Sequence, residues 1–400
     1  MLNKVEVYAG DPILSLLDMY RRDERAAKVN LSIGFYYDQN GNIPILESVT
    51  AAKTHLDTLP AVPNLYLPME GTADYRTAVE HHLFGEHHPA VQSSRVATIQ
   101  AVGGSGAIKV GADFLKRYFP DSGVWVSDPT WDNHNAIFLG AGFEVHKYPY
   151  YSCATGELDF DRMMSTLAHL PTQSIVLMHA CCHNPTGVDL TNEQWDAFIS
   201  LASSKQLIPF LDAAYIGFGD GVEEDTYSIR AMAASGITFF LSNSFSKVFS
   251  LYGERVGSLS VCCTDAEEAE RVLGQLKSTV RTNYSNPPKQ GALLVSQVLN
   301  DVQLKSLWEC EVEQMRERVQ SMREALHDAL QELCPEYDAG YLLRQKGMFS
   351  FTGLTPEQVD RMREEHGVYL IKSGRMCVAG LSDANVPAVA KAIAAVQAAG

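Results

Sequence analysis

Lys247 is the residue of this chain best suited to covalent chemistry. It ends the string Thr238-Phe239-Phe240-Leu241-Ser242-Asn243-Ser244-Phe245-Ser246-Lys247, in which an apolar run passes into serines. Desolvation beside a buried strand end lowers a lysine's pKa and makes its amine nucleophilic enough to form a Schiff base with a carbonyl. A single lysine is more often a solvated surface residue. Three other polar positions also follow apolar runs. Asp212 ends Ile208-Pro209-Phe210-Leu211, where a carboxylate is costly unless it faces a cation, a donor or a bound group, or simply caps a turn. Asn184, in His183-Asn184-Pro185-Thr186-Gly187, offers a neutral amide donor suited to a phenolate oxygen, or marks a turn. Val102-Gly103-Gly104-Ser105-Gly106-Ala107 runs from a strand through glycines into a helix, whose free NH groups favour a phosphate. The same string fits a tight strand-to-helix connection, and it is neither a Walker loop nor a full dinucleotide fingerprint.

These positions need a scaffold that gathers strand ends. From about Arg95 to Cys263, short apolar runs alternate with amphipathic segments, the pattern of an α/β unit. The expected strands are 96–102, 124–127, 143–148, 174–180, 208–211, 238–242 and 256–261. The expected helices include 107–118, 191–204 and 266–278, the last two opening on Thr191 and Asp265 as caps. The sheet is predicted to be seven-stranded and mostly parallel, and in such sheets ligands bind beyond the carboxyl ends of the strands. A polar-apolar stretch from about 302 to 333 predicts one or two helices. Strand-like pieces at 347–351 and 369–371 complete a smaller α+β unit.

Composition narrows the function. The chain has 400 residues, 46% hydrophobic and 20% charged, enough for two domains of an ordinary globular protein. A formal charge of −16 opposes binding to nucleic acid or anionic membrane, so an anionic ligand needs a local cationic site. No stretch approaches the ~20 apolar residues of a membrane span, and the start has no apolar signal core. A cytoplasmic protein whose mature chain equals the encoded one is expected. Eight cysteines are too few for a disulfide scaffold. Cys181-Cys182-His183 suggests zinc, but on a strand these neighbours would point to opposite faces, so no metal is expected.

The ordered set His-Asn-Pro-Thr-Gly, Asp-x-x-Tyr, Ser-x-Ser-Lys and Arg-x-Gly resembles the class I aminotransferases of the aspartate aminotransferase type. The resemblance runs from Asp11-Pro12-Ile13-Leu14 to Ser373-Gly374-Arg375. It implies the pyridoxal-phosphate-dependent transferase fold type I, and a ping-pong exchange of an amino group between amino acids and 2-oxo acids. It also implies an N-terminal arm (1–10), a small domain (11–43 and 315–400) and a large cofactor-binding domain (44–314). Lys247 would hold the cofactor and shuttle the Cα proton, with Asp212 and Tyr215 completing the catalytic set. Asp212 would pair with the pyridinium nitrogen, supported by His134, while Asn184 and Tyr215 reach the phenolate oxygen. Ser105, Gly106, Ser244 and Arg255 would hold the phosphate, and Trp131 would stack on the ring unless it is simply a core tryptophan. Arg375 would clamp the substrate α-carboxylate. Arg281, on the distal carboxylate, and Tyr66, on the phosphate, would come from a second subunit, so the active site would exist only in a homodimer.

The pocket walls bear on the substrate. The aspartate type resembles Gly-Val-Tyr-Lys-Asp where this chain has Gly34-Phe35-Tyr36-Tyr37-Asp38. Ile43 and Ser105 stand where that type tends to have Thr, and Leu65 where it has Asn, whereas Asn286 matches it. Each change makes the wall less polar or roomier, as in bacterial aromatic-amino-acid aminotransferases, although any one of them alone fits drift. The expected activity is therefore transamination of tyrosine and phenylalanine as well as aspartate and glutamate, with 2-oxoglutarate as an acceptor. The alternatives are a narrow aspartate aminotransferase and a non-catalytic binding module on the same fold. A serine acylase built on Ser244-x-x-Lys247 lacks its companion strings.

Overall fold

The computed structural model describes residues 2–7, 10, 12–60 and 63–398; Asp11, where the resemblance begins, lies outside them. The chain divides into two compact units, Pro44–Glu317 and Met1–Ile43 with Arg318–Gly400.

The larger unit is built on seven strands: β1 (Val96–Val102), β2 (Val124–Asp128), β3 (Val145–Pro149), β4 (Ile175–His179), β5 (Ile208–Ala213), β6 (Phe239–Ser244) and β7 (Val256–Cys262). Their order across the sheet is β1-β7-β6-β5-β4-β2-β3, and only β7 runs antiparallel to its neighbours. Every residue of β4 to β7 is buried, which is why these strands read as continuous apolar runs rather than alternating ones. Helix Gly103–Tyr118 packs on this sheet through Ala107, Ile108, Val110, Phe114 and Leu115. A Cβ on its Gly111 would come within 2.7 Å of the Phe210 ring, so glycine permits the close approach. Thr191 and Gln194 form a full capping box on helix Asn192–Lys205, and Asp265 caps Ala266–Asn283.

Several boundaries differ from expectation. The third strand begins at Val145 rather than Phe143, because the Phe143 NH closes the preceding helix turn onto the Phe138 carbonyl. The glycine-rich helix begins at Gly103 rather than Ala107, so Gly103, Gly104 and Gly106 all lie inside its first turn. Helices Glu47–Thr58, Ala73–Phe84, Asp132–Gly140 and Gln290–Asn300 had no distinct signal in the sequence. Cys181 and Cys182 are not strand neighbours: β4 ends at His179, and Cys182 has φ 51°. Their thiols and the Asp225 carboxylate lie within 4.8 Å of one another, so the opposite-face argument does not hold for them.

In the smaller unit Val29–Asn30 pairs parallel to Val368–Tyr369, and Phe349–Phe351 pairs antiparallel to Arg375–Cys377. The pieces expected at 347–351 and 369–371 are thus shorter, and two of the four strands had been missed. The stretch from 302 is a single helix, Val302–Leu333, that passes from the larger unit into the smaller. No helix among the described residues is long and apolar enough to cross a membrane.

Candidate active site

The parallel register brings chemistry to one row. His179 on β4, Asp212 on β5 and Ser242 on β6 are direct neighbours across the sheet. Asp212 Oδ1 accepts from the Ser242 hydroxyl at 2.8 Å, and Oδ2 lies 3.2 Å from His134 Nε2. The other ring nitrogen of His134 is 2.8 Å from the Thr130 hydroxyl, which fixes the ring. Burial pushes the Asp212 carboxyl up, but the hydrogen bonds from His134 and the Ser242 hydroxyl outweigh it. Its pKa therefore lies below the usual carboxylate value, and a buried, ionised carboxylate calls for a cationic or proton-bearing partner. His179, 5.1 Å from His134 between ring centroids, is held neutral by burial, with a pKa pushed down to about 3.

Lys247 sits in the turn after β6, half-buried, with Nζ 5.1 Å above the centroid of the Tyr215 ring. The turn is fixed from behind by Trp308, fully buried, whose Nε1 donates to the Val248 carbonyl at 2.8 Å. On the other side of the turn is a cradle for an anion. Arg255, at φ 53°, directs Nη1 to the Ser246 hydroxyl and the Tyr252 carbonyl, both at 3.3 Å. The Ser244 and Ser246 hydroxyls are 3.2 Å apart. A Cβ on Gly103 would collide with the Arg255 guanidinium, and one on Gly104 would lie 3.2 Å from Ser244 Cβ. Helix Gly103–Tyr118 starts here without a side-chain cap, so its first-turn NH groups, two hydroxyls and a guanidinium converge as a dianionic phosphate requires. Gly103, Gly104 and Ser246 were missed as cradle residues by reading the sequence alone. Gly106 faces back to Val102, and Ser105 with Gly106 lines a cavity of about 530 Å³ beside Asn133, Asn283 and Tyr284.

Asn184 is buried just beyond β4. Asp189 holds its approach by accepting from the NH groups of Cys182 (2.7 Å) and His183 (2.8 Å). His183 stacks on Tyr150 at 3.9 Å and lies 2.8 Å from both the Ser127 and Thr186 hydroxyls. Trp131, half-buried, precedes helix Asp132–Gly140 and meets His134 edge-on at 5.2 Å. Among the described residues two donor sets lie close together, His134 with His179 and Asp212, and Cys181 with Cys182 and Asp225; Asp212 also meets Ser242, and Asp225 accepts from the NH groups of Gly217, Gly219 and Asp220.

Of the other candidates, Arg281, Leu65 and Tyr66 belong to the larger unit, and Arg375, Gly34, Phe35, Tyr37 and Ile43 to the smaller. Arg281 is exposed and bonded to Ser285; Leu65 and Tyr66 are 72% and 91% exposed. In the smaller unit Arg375 is buried, bonded to the Ser32 carbonyl at 2.7 Å and 4.3 Å above the Phe349 ring. A Cβ on Gly34 would lie 2.8 Å from Phe349 Cζ. Phe35 and Tyr37 meet edge-on at 6.3 Å, and Ile43 is 40% exposed.

The sequence model of the family described as Aminotransferase class I and II matches residues 26–393. The aromatic-amino-acid aminotransferase of Escherichia coli (strain K12) is 61% identical over 99% of this chain and 100% of its own length. An aspartate aminotransferase of Pseudomonas aeruginosa is 47% identical over 98% of each. The structure of the aromatic-amino-acid aminotransferase from Burkholderia pseudomallei, covalently bound to pyridoxal phosphate, superimposes with a TM-score of 0.96. It is 46% identical over 99% of each chain.

Proposed function

The chain belongs to the class I and II aminotransferases, and from that membership we propose that it moves the amino group of tyrosine and phenylalanine, and of aspartate and glutamate, to a 2-oxo acid such as 2-oxoglutarate. Pyridoxal phosphate is its cofactor and supplies, when bound, an electron sink for the charge that develops at the substrate Cα. The observation that carries the substrate class is the 61% identity, over 99% of the chain, to an aromatic-amino-acid aminotransferase.

In this reading each side chain has one task. Lys247 anchors the cofactor and then takes and returns the Cα proton, a role open to an amine at a half-buried strand end. The ionised Asp212, buttressed by His134, keeps a proton on the ring nitrogen. Asn184 and Tyr215 donate to the phenolate oxygen, and Trp131 covers the ring face. Arg255, Ser244, Ser105 and the amides of the first helical turn take the phosphate. Arg375 clamps the α-carboxylate as a guanidinium fork. Arg281 and Tyr66 serve the site of a second copy of the chain, which makes the working unit a cytoplasmic homodimer. Phe35, Tyr37 and Ile43, near Gly34, supply apolar side chains for substrate selection, and Leu65 supplies another.

The test is a half-reaction panel that follows the cofactor's visible absorption as tyrosine, phenylalanine, aspartate and glutamate are added singly to the holoenzyme. All four should change the spectrum. A response to the two dicarboxylates alone would replace this reading with a narrow aspartate aminotransferase.

A further inference from the structure

Arg323, on helix Val302–Leu333, is 1% exposed, yet it carries a charge into the interior of the smaller unit. A buried guanidinium is costly unless its donors are used. Here they are spent on one short segment: the carbonyls of Gly347 (2.7 Å), Phe349 (2.6 Å) and Leu342 (3.3 Å), and the Ser350 hydroxyl (2.6 Å). That segment leads into strand Phe349–Phe351, whose partner strand begins at Arg375. The Phe349 ring lies between two residues of the substrate reading. Its face takes the Arg375 guanidinium at 4.3 Å, and its edge fills the space that only a glycine at position 34 leaves open. Arg323 thus holds the backbone carbonyl of the residue that carries this ring, beside its strand pairing to Cys377.

We propose that Arg323 is a positioning residue for carboxylate recognition, aligning the Arg375 guanidinium through the Phe349 ring; this rests on the reading that Arg375 binds the substrate α-carboxylate. A ring displaced by ~1 Å would move the guanidinium from a two-point grip to a one-point grip. Lysine cannot replace Arg323 fully, since three donors on one nitrogen do not reproduce a planar fork with acceptors on several sides.

The experiment compares Arg323→Met, Arg323→Lys and Ser350→Ala with the unsubstituted holoenzyme, with folding monitored by circular dichroism. Binding of hydrocinnamate, a carboxylate without an amino group, is measured by calorimetry, and turnover at saturating 2-oxo acid is measured with phenylalanine and with 2-phenylethylamine, which lacks the carboxylate. Arg323→Met should weaken hydrocinnamate about tenfold or more and raise KM for phenylalanine similarly, with a smaller effect on kcat. Its slow reaction with 2-phenylethylamine should be unchanged. Arg323→Lys should recover part of the loss, and Ser350→Ala should show a smaller loss in the same direction. If Arg323→Met does not fold, Ser350→Ala decides. Unchanged hydrocinnamate affinity in the folded variants, or an equal loss with 2-phenylethylamine, overturns the proposal. Arg375→Met separates the underlying reading: it should abolish the preference for phenylalanine over 2-phenylethylamine, and if the preference survives, Arg375 is not the carboxylate site and the role of Arg323 falls with it.

Discussion

His134 Nε2 meets Asp212 Oδ2 at 3.2 Å where the two side chains are 0% and 5% exposed. With Ser242 on the other oxygen, each carboxylate oxygen already accepts one hydrogen bond and keeps a lone pair for a further donor. The pair is buried from solvent, so small changes in it have large consequences.

Asp212→Asn keeps the shape but removes the charge and one of the two acceptor positions. The phosphate cradle and Lys247 are untouched, so the cofactor should remain bound. Removal of the Cα proton should slow by at least ~100-fold, because the ring nitrogen loses the partner that keeps it protonated. Stopped-flow measurement of one half-reaction reads this directly. An unchanged rate would reduce Asp212 to a turn residue.

Lys247→Ala removes a half-buried side chain from a turn whose backbone is secured by Trp308 at Val248. Thermal stability should therefore change little. Turnover should fall by roughly 10⁴-fold or more, since the covalent anchor and the proton carrier vanish together. Transamination near the unsubstituted rate would remove the central assignment.

His82 offers a pH test away from the chemistry. It is buried against Phe245 and Trp308, and burial, then the charges of Lys305 and Arg230, hold its pKa down to about 4, with Glu223 opposing. The folded value lies below the unfolded one, so the neutral ring's contribution is complete above about pH 6.5 and is lost as pH falls towards 4. His82→Phe should remove one proton's share of the acid destabilisation, a slope of about 1.4 kcal/mol per pH unit in that window. Urea unfolding at pH 7 and pH 4.5 checks it; identical slopes in the two proteins would show that His82 is not what titrates.

What could be read from the sequence was what repeats locally. The strands around Asp212 and Lys247 were legible because both faces are buried, leaving uninterrupted apolar runs. The residue that completes the row, Ser242, was hidden because only the parallel register sets it beside Asp212. The start of the glycine-rich helix was read one turn late for the same kind of reason. Glycines at 103 and 104 look like a loop, yet they begin the helix, and the close approach of Arg255 and Ser244 that demands them comes from strands far away in sequence. Val29–Asn30 and Arg375–Cys377 are two and three residues long, too short for any period to register.

Specificity gives the sharpest test, because Arg281 and Arg375 suit an aspartate and an aromatic enzyme equally well. In the proposed reading the choice falls to Phe35, Tyr37, Ile43 and Leu65. Phe35 and Tyr37 already pack edge-on, and burial raises the Tyr37 phenol pKa, which keeps that wall neutral over the working range. Leu65 and Ile43 present exposed apolar surface, 72% and 40%, that a substrate ring or a second copy of the chain can cover. Covering it is worth about 25 cal/mol per Å², so ~50 Å² shared between ring and wall gives about 1.3 kcal/mol, close to tenfold in kcat/KM. A dicarboxylate gains nothing from that surface. Leu65→Asn with Tyr37→Lys should therefore lower kcat/KM for phenylalanine and tyrosine by about tenfold or more while changing the aspartate value less than threefold. Steady-state kinetics with the four amino acids measures it. If the aspartate value falls as far as the phenylalanine value, or the unsubstituted enzyme scarcely reacts with phenylalanine, these walls do not select the ring.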